Sequence, residues 1–231
     1  ILPTGFTYTV PADATAQNDI VLATESVGGA NNATVPLHFK HIMSAVNFKV
    51  GRIVEGEIRK IQVQGIYNKA TYNIEQNVWV LDKASNGNFD VVVADGVFET
   101  NTSLDAGTPI NTADATFMMI PQTLPAGAQI LVEFYEKTSS GQFIEHELTA
   151  SIADESWDMS CTTNYTISID ESFNIEIVPT GKTLDAHYII STVNVDVELP
   201  SDISNKNWTL TAEIEGGIGE AVTLYPETTD Y

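Results

Sequence analysis

The chain is short of positive charge, and this shortage limits the partners that it can bind. Its 231 residues include 31 Asp and Glu but only 10 Lys and Arg, so the formal net charge is −21. Proteins bind phosphate backbones and anionic lipid surfaces mainly through Lys and Arg, so this composition argues against nucleic acid and membrane surfaces as partners. The acidic residues are spread along the chain. We interpret them as a source of solubility and mutual repulsion, not as a specific cation site.

Cysteine is also scarce. Cys161 is the only cysteine, so an intramolecular disulfide is impossible. A lone cysteine suits an intracellular protein, and it equally suits a secreted bacterial protein whose large core needs no disulfide. Abundant Thr, Ser, Asn and Gly beside few Lys and Arg favours an extracellular protein.

Long apolar runs are absent as well. No stretch reaches the ~18 consecutive apolar residues that a membrane-spanning helix needs, so the sequence predicts no transmembrane segment. The chain starts at Ile1 and shows no charged segment followed by an apolar one. We therefore expect a mature or trimmed product, whose signal peptide and lipid anchor would lie upstream.

The common catalytic and cofactor-binding motifs are missing, including the phosphate-binding loop, the dinucleotide-binding glycine pattern, the zinc-binding His-Glu-x-x-His and the Gly-x-Ser-x-Gly elbow. His38 and His41 point to opposite faces of a regular strand, so they could share a metal ion only if that strand is bulged. Cys161 has no neighbouring cation in the sequence to lower its thiol pKa. We predict no catalytic, cofactor-binding or metal-binding residue, no cofactor, and a protein that is not an enzyme.

Two further groups of residues leave alternatives open. Carboxylates that could serve a glycosidase crowd one region, although such crowding is expected in an acidic chain: Glu145, Glu147, Asp154, Glu155 and Asp158. Each tryptophan could stack on a sugar ring, yet each lies at or beside an alternating strand, where core packing is the safer interpretation: Trp79, Trp157 and Trp208.

Strand-like alternation dominates the chain and predicts an all-β sandwich. The most informative stretch is residues 117–135, where an apolar run meets Pro121 and Pro125 and then an alternating strand. Proline removes a backbone donor and fixes φ, so a strand ladder cannot continue through this corner. We expect Gly127 to supply a positive φ for the return.

Two changes of phase interrupt the alternation. Apolar residues change parity after His41, and a second slip falls between Ile58 and Ile61. Because the side-chain period of a strand is two, each change predicts a bulge or a strand that crosses between sheets. Near Asp170 the strand rhythm restarts. We therefore predict a β-sandwich domain at residues 1–170 and a second, smaller β module at residues 171–231, possibly incomplete at its C-terminus.

Three stretches together resemble the fimbrillin-like family of anaerobic Gram-negative bacteria. Residues 36–50 read PLHFKHIMSAVNFKV and are similar to a strand of that family. Residues 117–127 read FMMIPQTLPAG, close to its Pro-Gln corner, and Trp157 followed by residues 165–169 is similar to its closing strand. The resemblance covers roughly residues 1–170.

This resemblance implies a transthyretin-like antiparallel sandwich, export, lipidation before maturation, and display on the outer membrane surface or in fimbriae. It also implies assembly with other fimbrial subunits by strand exchange, in which a partner's segment fills an apolar groove. Residues 171–231 do not match the second domain of major pilin subunits, which favours a minor or tip subunit. The leading prediction is thus a non-enzymatic structural or adhesion protein at the cell surface. Besides other fimbrial subunits, its predicted partners are a surface protein or a glycan. The alternative is a carbohydrate-binding surface module outside pili.

Overall fold

Strands make up nearly all of the regular structure. The computed structural model describes residues 4–27, 34–37, 39–93, 96–101, 103–112, 115–184, 193–196, 208–214 and 223–226. Residues Ala14–Ala16 form a short 3-10 turn, which the Asp13 side chain caps through the Thr15 backbone N–H. The all-β class predicted from the sequence is therefore confirmed, whereas the transthyretin-like topology stays a prediction.

The largest sheet has five strands and is called here the five-stranded sheet. Its strands are β6 (Gly56–Tyr67), β9 (Asn86–Asp90), β10 (Phe98–Thr100), β13 (Gln129–Lys137) and β14 (Phe143–Ser151). The long strand β6 pairs with β13 on one side and with both β9 and β10 on the other, and β14 completes the order beyond β13. All these pairs are antiparallel.

The second large sheet has four strands and is called here the four-stranded sheet. It runs in the order β11 (Phe117–Met119), β5 (Ser44–Ile53), β16 (Cys161–Ile169), β17 (Ile175–Leu184). The central pair β5 and β16 is parallel, whereas β11 and β17 join antiparallel. The sandwich is thus antiparallel with one exception that the sequence does not predict.

One hydrophobic core joins the inward faces of both large sheets. Phe48 of β5 stacks on Tyr165 of β16, with ring centroids 5.9 Å apart and planes at 23°. Its other neighbour is Phe117, which meets it edge-on at 5.9 Å. Such rings supply large buried areas and defined geometry. The five-stranded sheet contributes inward side chains that are fully buried, namely Ile58, Ile61, Val63, Ile130, Val132 and Phe134.

Both predicted phase changes correspond to breaks in the strands. The first separates β4 (Lys40–His41), which pairs with β2 (Val21–Val27), from β5 in the four-stranded sheet. The second is a bulge in β6, where the partner register with β13 shifts between Glu133 and Phe134. The extra residue restores the inward orientation of the side chains that follow it.

The proline corner connects β11 to β13 through the two-residue strand β12 (Gln122–Thr123), which pairs with β15 (Ser156–Trp157). The prediction for Gly127 is wrong, because its φ is not positive. The positive φ belongs to Gly65, at +73°, and a Cβ there would lie 2.7 Å from the Gly127 carbonyl oxygen. Glycine is required at position 65 by both conformation and space.

A three-stranded sheet covers one side of the core in the order β1 (Gly5–Thr9), β7 (Lys69–Asn73), β8 (Val78–Leu81). The Trp79 ring packs against Tyr72 with centroids 4.9 Å apart and against Phe6 at 5.7 Å. These contacts attach the small sheet to the core.

The described strands near the C-terminus pair with strands near the N-terminus. β18 (Val193–Asp196) pairs with β3 (Thr34–Leu37), and β19 (Trp208–Ile214) lies between β2 and β20 (Thr223–Pro226). β17 continues the four-stranded sheet past Asp170. The division into residues 1–170 and 171–231 stays a prediction.

Candidate functional site

Two neighbouring edges of the large sheets are open in the part of the chain that the structure describes. Within the described residues, β14 pairs on one side only, with β13, and β17 pairs on one side only, with β16. The two edge strands lie beside each other. Ile144 on β14 is 49% exposed and Val178 on β17 is 45% exposed. An edge with free backbone groups and apolar side chains can accept a further strand.

An aromatic contact fastens these two edges at one end. The His146 ring of β14 stacks on Phe173 with centroids 3.8 Å apart and planes at 12°. Phe173 also packs against Phe134 in the core at 6.3 Å. It holds φ at +59°, which is unusual for a bulky residue, and the preceding Asp170 carboxylate accepts the backbone N–H groups of Ser172 and Asn174. The turn between β16 and β17 is therefore held in place by its own hydrogen bonds.

An open cleft of about 990 Å³ lies at the end of β5. Backbone hydrogen bonds join residues 107–110 to β5 at Phe48 and Val50. The cleft begins at Val50, where this pairing ends. Ile53, Leu104 and Ile169 give it apolar walls, and polar groups from residues 170–176 form its rim. The cleft can hold an extended segment, and its lining also includes the charged residues Arg52, Asp170, Glu171 and Glu176.

A hydrogen-bonded chain closes the core near β15. The Trp157 Nε1–H donates to the Tyr165 hydroxyl over 2.9 Å, and that hydroxyl donates to the Glu155 carboxylate over 2.8 Å. Burial raises the pKa of Tyr165 far above its ordinary value, and the Glu155 hydrogen bond raises it further. Tyr165 therefore stays a neutral donor, and its role is structural.

Among the described residues, His41 and Cys161 belong to no group of three or more side chains that could hold a metal ion. His38 lies outside the described residues. The His41 Nδ1 hydrogen-bonds the Asp19 carboxylate, and the Ser160 hydroxyl donates to the His41 backbone carbonyl and not to its ring. Cys161 begins β16, and its carbonyl accepts from the Ser44 hydroxyl.

The crowded carboxylates are dispersed by the fold. Glu145 and Glu147 lie on the outer face of β14, opposite Tyr135 and Glu133. Glu155 is engaged with Tyr165 at the other end of the region. Asp158 accepts a hydrogen bond from its neighbour Ser156. The backbone N–H of Asp154, the fifth candidate, donates to the Leu124 carbonyl, so the candidates are divided between the face of β14 and the segment beside β15.

The tryptophans do not share an exposed face in the described residues. Trp157 is 1% exposed. Trp79 is half-buried among aromatic rings and donates its indole N–H to the Ile42 carbonyl over 2.7 Å. The side chain of Trp208 lies outside the described residues. Core packing, the interpretation preferred from the sequence, therefore holds for Trp79 and Trp157.

Across the described ranges, no group of three or more His, Cys, Asp or Glu side chains is placed to hold a metal ion. None of the segments that the structure describes forms a helix with the length and apolar character needed to cross a membrane.

Sequence reasoning missed one cluster on the outer face of the five-stranded sheet. The Arg59 guanidinium lies over the ring of Tyr135 at 4.0 Å and over that of Phe143 at 5.3 Å. The phase slip beside Ile58 marks the bulge that turns Arg59 outward, but it does not reveal which rings lie beneath it. Three strands contribute to this face, and their alignment is set by tertiary pairing.

Comparisons with known proteins identify relatives of the chain. A family model described as fimbrillin-like matches residues 2–185. A search of curated proteins finds no match. Among solved structures, the chain is similar to a candidate cell adhesion protein from Bacteroides ovatus, with 11% identity, a TM-score of 0.43, and coverage of 69% of this chain and 59% of that one. It is also similar to one from Bacteroides uniformis, with 13% identity, a TM-score of 0.32, and coverage of 62% and 51%. The chain thus spans less than two thirds of each of these proteins.

Proposed function

The chain belongs to the fimbrillin-like family, and from this premise we propose that it is a non-enzymatic subunit of fimbriae or a fimbria-associated adhesin on the bacterial surface. The match over residues 2–185 carries the proposal. Family membership supports a location at the cell surface and assembly with other fimbrial subunits. A minor or tip position and a lipid anchor in the outer membrane belong to the same proposal.

Assembly by strand exchange is supported by the two open edges. The outer backbone groups of β14 and β17 have no strand partner in the described part of the chain, and Ile144 and Val178 present apolar side chains there. A donated strand would bury these side chains and complete the hydrogen-bond ladder. Backbone hydrogen bonds give such an interface its affinity, and the apolar side chains give it register.

An active site has no comparable support. The candidate groups are separated, since His41 pairs with Asp19 while Glu155 serves Tyr165. The raised pKa of Tyr165 has a structural cause, which is first its burial in the core and then its hydrogen bond to Glu155. The residues therefore act as scaffold, and function resides on the surface.

The test is an assembly experiment with a charged edge. Lysine on an edge strand blocks strand addition, because a partner strand would bury its charge. We expect Val178→Lys to abolish incorporation into surface fibres and binding of peptides copied from the partner subunits' terminal segments. Measurements are electron microscopy of bacteria that express the variant and peptide binding by the purified chain.

Val80→Lys is the matched control, because Val80 is also an exposed valine on an edge strand, with 59% exposure. It lies on β8 of the three-stranded sheet and should leave assembly intact. If Val178→Lys assembles normally, the assignment of this edge is wrong. If deletion of the whole protein changes neither fibres nor adhesion, the fimbrial function itself is wrong.

A further inference from the structure

The outer face of the five-stranded sheet has an ordered polar surface that no part of the assembly proposal uses. Along β13, Ile130, Val132 and Phe134 point into the core with no exposure, so the intervening side chains point outward. The outward positions run from Gln129 to Tyr135. Three two-residue steps along a strand give this face a length of about 20 Å.

A row of side-chain amides crosses one end of the face. The Gln129 amide donates to Gln64 over 2.6 Å, and the Gln64 amide donates to Gln62 over 2.6 Å. The Gln62 amide then donates to the Asp90 carboxylate over 2.7 Å. Each amide nitrogen carries two hydrogens and each oxygen has two lone pairs, so every member has capacity left for a ligand. The side chains are already ordered, which reduces the entropy lost on binding.

A stacked arginine forms the other end. Arg59 rests on the ring of Tyr135 at 4.0 Å, and Phe143, which is 40% exposed, lies beside it at 5.3 Å. The Glu57 carboxylate accepts the Arg59 Nε–H over 2.9 Å and lies 2.8 Å from Nη2. These contacts hold the guanidinium over the Tyr135 ring, and its remaining N–H groups can donate to a ligand. The face therefore combines planar hydrogen-bonding groups with an exposed aromatic ring.

The charges on this face select among ligands. Arg59 is paired with Glu57, and Lys60 lies 3.6 Å from Glu133. Glu145 and Glu147 add negative charge on the neighbouring strand. Sulfated, phosphorylated or sialylated ligands would be repelled, because both cations of the face are paired and Glu145 and Glu147 leave it with excess negative charge.

We propose that this face binds a neutral oligosaccharide chain. Hydroxyl groups of a sugar both donate and accept, so pairs of them match the amide row and the carboxylates, while the apolar face of a ring covers Phe143. The extended shape of the surface suits a linear chain lying along the strands. The inference deepens the proposed adhesive function and rests on it, since it names the class of ligand that the adhesin would hold.

The experiment is a glycan array followed by calorimetry with the full chain. The array contains neutral, sialylated and sulfated oligosaccharides. We expect binding to neutral chains only, and at least about tenfold weaker affinity for Gln62→Ala/Gln64→Ala and for Phe143→Ser, because each change removes contacts worth roughly one factor of ten. Circular dichroism checks that the variants fold.

The control variant is Thr7→Ala/Thr71→Ala, which alters an exposed hydrogen-bonded pair on the three-stranded sheet and should leave affinity unchanged. A blank array at millimolar glycan overturns the proposal, as does binding that both face variants leave intact. Binding confined to anionic glycans, or to a basic peptide in their place, also overturns it. Fibre assembly is measured separately with Val178→Lys. Failure of the glycan site would appear as a loss in the array alone, and failure of the fimbrial function would appear in the fibre measurement.

Discussion

The Trp157–Tyr165–Glu155 chain should contribute measurably to stability through a single hydroxyl. Tyr165 is fully buried, and its hydroxyl accepts from Trp157 and donates to Glu155. Tyr165→Phe keeps the ring and removes both hydrogen bonds. It leaves the indole N–H buried without a partner, which costs about 1–3 kcal/mol, and it deprives a carboxylate of a donor. We expect a loss of about 2–3 kcal/mol in the free energy of unfolding.

The free energy of unfolding is measured by urea unfolding and supported by thermal melts. The slope of this free energy against urea concentration should be the same in the variant as in the original chain. For a chain of this size, such a loss lowers Tm by about 4–12 °C. Tyr135→Phe is the matched control, because the Tyr135 hydroxyl bonds the exposed Glu145 carboxylate on the surface of the sheet. A surface hydroxyl of this kind should contribute less than about 0.5 kcal/mol.

A double-mutant cycle separates the hydrogen bond from the packing. Trp157→Phe alone loses buried indole volume, but in the double variant Tyr165→Phe no longer strands an indole N–H. The losses should therefore be less than additive, with a coupling energy of at least about 1 kcal/mol. Additive losses, or a Tyr165→Phe effect no larger than that of Tyr135→Phe, would refute the reasoning.

Two further predictions concern the backbone and alkaline pH. In urea unfolding, Gly65→Ala should destabilise the fold by at least about 1 kcal/mol more than Gly141→Ala. Both glycines have positive φ, but only a Cβ at position 65 would meet a backbone oxygen, that of Gly127. Equal losses of stability would contradict the steric argument. Burial raises the pKa of Tyr72 from 10.0 to about 12. The folded protein therefore keeps its full stability below pH 10, and between pH 10 and 12 it loses up to about 2.7 kcal/mol because the tyrosine ionises more easily in the unfolded chain. When the free energy of unfolding is measured against pH, Tyr72→Phe should show a smaller decline over this range. An unchanged decline would mean that other groups cause the loss.

Much of the strand pattern could be predicted because side-chain alternation is local. The phase slip after Ile58 predicted the bulge in β6, and the parity change after His41 predicted the passage to another sheet. Both follow from the period of two, which needs no knowledge of the partner strand. Strand-like alternation along most of the chain likewise predicted the all-β class.

The partners of the strands could not be predicted in the same way. Alternation along β5 and β16 shows which face is buried, but their parallel pairing joins segments more than a hundred residues apart. Gly127 was assigned the positive φ because it follows Pro125, yet the crossing of two chain segments places that requirement on Gly65. Such assignments depend on tertiary contacts that a single sequence does not state.

The proposed assembly surface and the proposed glycan surface are compatible because they use different directions of the same sheet. A strand added to β14 would lie in the plane of the five-stranded sheet, about 4.8 Å from it, and would hydrogen-bond its backbone. The outward side chains stand perpendicular to that plane, so Glu145 and Glu147 would remain uncovered. An added strand would thus widen the face that begins at Gln129 and Tyr135 without blocking it. A tip or minor subunit would then present this ligand surface on each fibre of a cell, and weak binding at several fibres would add up to strong adhesion.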